Sequence, residues 1–505
     1  MMAVMSTASE VVEGREPRAA NDGTPGWQRS DTVAAAVLGA AIALWIVTFG
    51  VLVVLRQDRF ASFDFDMGIH DQSIWLLAHG RGFLTVRGLP VFGHHATLGY
   101  YLLVPFSWLG GGPNLWNLFQ VSCLALAAVP IFLLARFRTG NAAVGTALGI
   151  VYLLHPATGF FAWELFHPEV VAIAPLFAAY YCSVRRRWGW FALWAVLAVS
   201  WKEDVALVVV LLGLLIALRG DRRIGLWTAG LALAWFAAWM MVLFPLFNGG
   251  AVQAQAGYAD VGGSPSGVLR TAVTNPGLIT GRLTNGEAGD FYWRVGAPYA
   301  FVPLLAPLVL LLGVPQTVLN LITNVPWTKT ITYHYAALPL VGLTLGLVEA
   351  VGWVWRKVRH RAVVWAVIGI VIASSLVTAV QWGLSPIGDE YRMGWWPLTE
   401  LDRLHTVREQ IDAIPAGASV AATYNLVPHL SRRAVIYSFP NPWVSRNFGI
   451  DGEPVPDPKR VEWLLADRLV LGPEDVGLLD RILARGTFEV VSDADGYVLA
   501  RRIKG

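Results

Sequence analysis

The sequence predicts an α-helical polytopic membrane protein with a small C-terminal α/β extracytoplasmic domain, and three observations lead there. The 505-residue chain is 55% hydrophobic and only 14% charged, with a mean hydropathy of +0.52, outside the range of a soluble domain. About eleven apolar stretches have the length and composition of membrane-crossing helices. From about residue 384 the charge content becomes ordinary and short buried-strand patterns alternate with helical ones. The net charge of +3 is small and its basic residues sit in short clusters, so the chain gives no sign of nucleic-acid binding. Cys123 and Cys182 lie inside apolar segments and read as buried small side chains, with no disulfide framework or thiolate metal site.

Taken in order, residues 1–30 are polar and aperiodic, which describes a disordered cytoplasmic tail. No cleavable signal peptide is visible, and the apolar run 32–55 is expected to stay as the first span. Further spans are expected near 114–135, 142–160, 168–184, 188–201, 204–218, 224–247, 296–313, 315–331, 336–355 and 362–383, so that 31–383 forms a transmembrane domain. The connectors Arg136-Phe137-Arg138, Arg185-Arg186-Arg187, Arg219 to Arg223 and Arg356 to Arg361 fall on one side if the N-terminus is cytoplasmic. This agreement requires segment 97–109, which runs into Gly110-Gly111-Gly112-Pro113, to be a re-entrant or surface-lying helix. Segment 315–331 carries Asn320, Asn324, Pro326 and Lys329, too polar for lipid, and is expected to be buried or broken.

The outer face then receives the acidic loop 56–96, the turn 160–169, Lys202-Glu203-Asp204, the long loop 248–295, Tyr333-His334-Tyr335 and the domain 384–505. In that domain 401–414 has helical spacing, and 418–423, 434–437, 468–471 and 497–500 read as short strands. Helical patches near 459–466 and 474–485 alternate with them.

Most of the unusual chemistry lies on this outer side. Asp64, Asp66, His70 and Asp71 fall within eight positions, and Gly68 with Ile74, Trp75, Leu77 and Ala78 suggests a short helix lying on the membrane with Asp66 near its N-terminal end. A carboxylate there is stabilised by free backbone N–H groups, so Asp66 reads either as a cap or as a functional acid. Adjacent His94 and His95 point to different sides and make a poor metal pair; one of them suits hydrogen bonding near a site. Glu164 and His167 stand at the helical spacing that puts two side chains on one face, either as a structural pair or with a role in binding or proton transfer. Lys202, Glu203 and Asp204 can satisfy one another at a tight turn, yet Lys202 is one of few outer cations able to face a phosphate. Arg294, Lys329 and a protonated His334 are candidates on the same ground. The loop 248–295 is long enough to close over a substrate, with Tyr292-Trp293 as an interfacial anchor.

Phe65-Asp66-Met67-Gly68-Ile69-His70-Asp71-Gln72, then His95, Glu164-Leu165-Phe166-His167-Pro168, Lys202-Glu203-Asp204, His334-Tyr335 and Pro428-His429-Leu430-Ser431-Arg432-Arg433 resemble a bacterial family of predicted membrane proteins of unknown function. That family is similar to the GT-C glycosyltransferases, and the resemblance runs from about residue 60 to the C-terminus. It implies a GT-C-like membrane fold with an aspartate in the first outer loop and a polyprenyl-phosphate or pyrophosphate sugar donor. Asp66 best matches the aspartate, with Asp64 as the alternative. An inverting transfer needs a base for the acceptor hydroxyl and positive charge for the departing phosphate. The catalytic candidates are thus Asp66 and Asp64, by the resemblance, and the substrate-binding ones, by their type and place, are His95, Glu164, His167, Lys202, Glu203, Arg294, His334 and Tyr335.

The implied activity is transfer of a sugar to an envelope glycan, lipid or protein acceptor. No metal ligand is assigned, although a divalent ion held by Asp64, Asp66 or Glu164 is compatible with the chemistry. Two other readings stay open. A transporter or flippase for a lipid-linked envelope component would line a pathway with Glu164, His167, Lys202 and Glu203. A non-catalytic scaffold would only bind glycan or a partner protein.

Overall fold

The computed structural model describes residues 27–250, 253–450 and 455–503. Residues 1–26 of the expected tail lie outside it, and the first helix begins at Arg29. Among the described residues five helices are long and apolar enough to cross a membrane: Arg29–Asp58, Pro113–Thr139, Arg222–Phe247, His334–Lys357 and Arg361–Trp382. A sixth span follows if Ala142–Leu154 and Pro156–Trp163, bent by 50° at their junction, are counted together. Pro156 accounts for the bend, because it supplies no N–H to the helix and the His155 ring takes over as cap, accepting from Ala157 N at 3.2 Å.

Shorter apolar helices are Pro168–Val184, Trp188–Val199, Val205–Leu218 and Pro307–Ile322. The expected spans 168–184, 188–201 and 204–218 are therefore shorter than a full crossing, and 296–313 is a series of short turns. Segment 315–331 is broken after Ile322, as its polar residues predict, so only the middle of the region 296–331 is helical. Prolines 298, 303, 307, 315 and 326 recur too closely for the backbone ladder to close.

His334–Lys357 is the central helix, with Leu340, Val341, Leu345, Leu347 and Val348 almost wholly buried. Val205–Leu218 and Arg222–Ala238 pack at backbone distance through Gly213 and Gly225; a Cβ on Gly213 would lie 2.5 Å from Ala229 N. At one end of the bundle the basic connectors converge on carboxylates. Arg136 pairs with Asp31 at 2.8 Å, Arg138 with Glu349 at 2.8 Å and Arg186 with Asp221 at 3.1 Å, while Arg219 donates to the Tyr180 hydroxyl at 2.8 Å.

Segment 97–109 forms a turn at Leu98–Leu102 and a five-residue helix, Val104–Trp108, far too short to cross. The expected long loop 248–295 is instead largely helical: Gln253–Val261, Pro265–Thr274, Pro276–Thr284 and Gly286–Gly296. Ser264, Asn275 and Asn285 cap the last three through side-chain oxygens, with proline following the first two at the opening helical position.

The helix Ile69–Ala78, expected as a surface helix, is buried in protein over most of its length. Ile69 to Ile74 and Leu76 are buried, because the helix is clamped between the bundle and the C-terminal domain. Asp71 accepts from Trp116 Nε1 of the bundle at 2.7 Å and from Ser431 Oγ of the domain at 2.6 Å. Gln72 donates to Thr85 Oγ1 at 2.8 Å and to the Arg433 carbonyl at 3.2 Å. The intervening hairpin pairs β1 (Phe83–Leu84) with β2 (Leu89–Pro90).

The C-terminal sheet contains β3 (Val420–Ala422), β4 (Ile436–Ser438), β5 (Trp463–Asp467), β6 (Phe488–Ala494) and β7 (Tyr497–Arg502) in the order β4-β3-β5-β7-β6. β3 is parallel to β4 and β5, whereas β7 is antiparallel to β5 and β6. The α/β reading therefore holds with two local corrections. Segment 459–466, expected to be helical, ends in the central strand β5, whose continuous apolar run is buried on both faces and so carries no period to separate strand from helix. Segment 468–471, expected to be a strand, is the turn that follows.

Candidate functional site

The site is built around a wide π-helical turn, Asp64–Gly68, that feeds the buried helix Ile69–Ala78. The turn sends its two acids in different directions. Asp66 keeps 26% of its side chain exposed and places Oδ1 3.4 Å from His167 Nε2. Asp64 is buried beneath the C-terminal domain; burial pushes its carboxyl up to about 6, against a hydrogen bond from Ser438.

Glu164 and His167 meet, with 3.8 Å between Glu164 Oε1 and His167 Nε2, but not on a helix face. The helix ends at Trp163, and Leu165 takes a left-handed φ of 74° to turn the chain back. Two polar side chains on helix Pro113–Leu126 hold this turn. Asn117 accepts from Phe166 N at 3.1 Å; Gln120 accepts from His167 N at 2.5 Å and donates to the carbonyls of Phe161 and Leu165.

From there a chain of alternating acidic and basic side chains crosses the bundle end. His334 Nδ1 lies 2.7 Å from Glu164 Oε1, and its backbone N–H donates to the other Glu164 oxygen. His334 Nε2 lies 3.4 Å from Glu169, which also receives the Lys202 ammonium; Asp204 is 3.7 Å beyond. The His167 and His334 rings stack at 4.1 Å. Burial opposes the His167 cation, but Glu164, Asp66 and Glu169 together outweigh it and hold its pKa up at about 9. Burial likewise works against Lys202, yet Glu169, Asp204 and Glu203 keep it well above its ordinary value.

The structure thus gathers Asp66, Glu164, His167, Lys202 and His334 into one cluster. Tyr335 adjoins it, its ring 4.0 Å from His334. His95 Nδ1 and Glu203 Oε1 pair at 2.9 Å beside Lys202, with Ala96 N donating to the second Glu203 oxygen at 3.1 Å. Arg294 stands apart, paired with Asp290 at 2.8 Å and lying over the Trp382 ring; Lys329 likewise is taken by Glu287 at 2.7 Å. Neither joins the cluster, because each is held by an acid of the helix Gly286–Gly296.

Four participants do not stand out in the sequence. Glu169 sits at the start of an apolar helix, and Asn117 with Gln120 is a polar pair three apart in another, a signal that could have marked an inward face. Arg56, in the last turn of the first helix, is 3% exposed; its guanidinium lies 3.7 Å from the Trp163 ring centre and its charge acts on Asp66 and Glu164. Only its Nε has a hydrogen-bond partner among the described residues, the Ala61 carbonyl at 3.0 Å, which leaves the terminal nitrogens for an anion.

Glu164, His167 and His334 each offer one ligand atom, all within 4.8 Å of one another. One carboxylate and two imidazoles suit a borderline divalent cation such as zinc. Asp64, turned toward the C-terminal domain, is not part of that set.

A helical membrane bundle with broken spans, an acid loop at one end and an α/β domain over it defines a membrane protein of GT-C-like fold. The structure aligns with the crystal structure of ArnT from Cupriavidus metallidurans bound to undecaprenyl phosphate, with a TM-score of 0.51, 13% identity, and 93% of this chain and 98% of that one covered. The chain belongs to the family described as predicted membrane protein DUF2079, whose model matches residues 56–499. No curated protein matches it.

Proposed function

We propose that this chain is an integral membrane glycosyltransferase that moves a sugar from a polyprenyl-phosphate donor to a cell-envelope acceptor. In this reading the N-terminus is cytoplasmic, and the acid cluster and C-terminal domain face outward. The observation that carries it is a part-exposed carboxylate, Asp66, near enough to a buried arginine, Arg56, for their charges to interact, with the terminal nitrogens of Arg56 uncommitted. Support for the lipid-linked donor comes from the fold shared with ArnT, which was crystallised with undecaprenyl phosphate.

Asp66 takes the proton from the acceptor hydroxyl as its oxygen attacks the sugar C1. The C1–O bond to phosphate breaks on the opposite side, and the bonding pair leaves with the polyprenyl phosphate, whose charge Arg56 meets. His167 orients Asp66, and Glu164, His334, Glu169 and Lys202 keep His167 in place. His95, Glu203 and Tyr335 border the space for the sugar. A divalent ion held by Glu164, His167 and His334 would supply further positive charge to the phosphate.

The test is transfer by the purified protein in nanodiscs, offered radiolabelled polyprenyl-phosphate sugars and envelope acceptors. Asp66→Asn is expected to lower the rate by about 100-fold or more, the usual contribution of a general base. Equal transfer by the variant removes Asp66 as the base. Lipid movement across vesicles without transfer from any donor favours a flippase instead.

A further inference from the structure

Apart from the acid cluster, one cavity has polar walls that lack partners. It has a volume of about 430 Å³ and opens where the bundle meets the C-terminal domain, lined by Gln57, Asp58, Gly112, Asn114, His429 and Arg432 among others. Three polar atoms of its wall have no hydrogen-bond partner among the described residues: Gln57 Oε1, Asn114 Oδ1 and Arg432 Nε. Gln57 is 3% exposed, so its carbonyl oxygen has given up bulk water without a replacement. Buried polar groups are overwhelmingly paired, and three orphans around one cavity mark a place where something supplies both donors and acceptors.

The charges narrow what that is. Arg432 is the cation of the wall and Asp58 its anion; Asp58 Oδ1 accepts from Asn114 Nδ2 at 2.8 Å, and Arg432 donates to the Gly110 carbonyl at 2.9 Å and to the Ser107 carbonyl at 3.3 Å. His429 adds no charge: burial depresses its pKa to about 3, its ring stacks on Phe60 at 3.9 Å and its Nε2 meets Gln57 Nε2 at 3.3 Å. An anion would meet Asp58, and a cation would meet Arg432. The two free acceptors and one free donor match hydroxyl groups, which serve in both senses. Pro113, Leu115 and Pro428 give the cavity apolar faces for C–H surfaces, and Gly112 stands beside Arg432, where an added Cβ would lie 3.5 Å from Arg432 Cδ, in ordinary contact.

We propose that this junction cavity binds a neutral hydroxyl-rich group, either a saccharide unit or the polyol head of a neutral glycolipid. It backs onto the acid loop through Asp71, whose Oδ1 lies 3.9 Å from where that Gly112 Cβ would stand. The site does not depend on the transferase reading.

The experiment titrates the full chain in nanodiscs with maltotriose, mannotriose and galactotriose by saturation-transfer NMR. A second arm uses nanodiscs doped with digalactosyl diacylglycerol, and inorganic phosphate is the anionic control. Binding of a trisaccharide identifies a soluble saccharide as the source, and protection by the glycolipid alone identifies a lipid head. Gln57→Leu and Arg432→Met are each expected to weaken binding about fivefold to tenfold, the effect of one lost hydrogen bond, with Asp66→Asn unchanged. Asn114→Ala, at the more open rim, gives the same reading should Gln57→Leu fail to fold. The proposal is overturned by phosphate binding in place of sugar, by no binding of either neutral ligand up to about 10 mM, or by wild-type affinity in every cavity variant.

Discussion

Asp64 and Asp66 are two positions apart and chemically identical, yet they sit in opposite environments, and substitutions should separate them. The Asp64 carboxyl is raised from 3.8 to about 6 by burial, so the folded chain holds that proton more tightly than the unfolded one. Stability is then full below about pH 4 and falls as pH rises through 6, where the buried group must ionise. Asp64→Asn is expected to raise the thermal midpoint at pH 7, by the equivalent of about 1–3 kcal/mol, while leaving transfer largely intact. A drop in both stability and transfer would return the catalytic role to Asp64. For His167 the sign is opposite: its folded pKa is raised to about 9, so its contribution is full below about 6.5 and lost as pH rises through 9. The stability gap between wild type and His167→Gln should therefore shrink between pH 6.5 and 9.5, read by thermal shift in the same detergent.

At the scale of elements, the turn after Trp163 matters most. Its conformation is dictated from outside, by Asn117 and Gln120 on the helix Pro113–Leu126. Gln120→Leu strips partners from the buried His167 N–H and Leu165 carbonyl and is expected to cost about 2–4 kcal/mol, with a larger loss of transfer than of stability. Asn117→Ala should do less, since it frees one bond only. The spacing of Glu164 and His167 promised a pair, and the pair exists, but through a left-handed Leu165 and not a helix face. The helix at 69–78 was legible from its apolar positions. Its burial was not, because the Ser431 and Arg433 contacts that cover it lie some 360 residues away in sequence.

For the whole molecule, the boundary near residue 384 separates two compositions more cleanly than two cores: the C-terminal domain has a cluster of its own around Tyr437, Phe439, Leu464, Leu479 and Phe488, and it shares a second with the bundle. One continuous apolar cluster joins Leu52, Met67 and Leu338 of the bundle to Val407, Leu426, Leu465 and Leu499 of the C-terminal domain. A chain truncated at residue 383 is expected to lose cooperative unfolding and transfer together, because Met67, Ile69 and Asp71 lose their cover; a stable, active truncation would make the domain an accessory. The two ends of the bundle also differ in kind, arginines paired with Glu349 and Asp31 at one and the Asp66 cluster at the other. In intact cells a membrane-impermeant maleimide should label Glu474→Cys and spare Arg187→Cys; the reverse pattern would invert the proposed orientation.

By itself the sequence determined that the chain lives in a membrane, where most of its helices lie, that basic connectors and acidic motifs segregate, and that an α/β domain follows, because composition and hydrophobic period are local properties. Only the tertiary structure decided which aspartate faces the cluster, that Arg56 and Glu169 join it, that Arg294 does not, and that 296–313 is a series of short turns. Those outcomes depend on which side chains meet after distant segments pack, and a buried charge is held by its partner in space, wherever that partner sits along the chain.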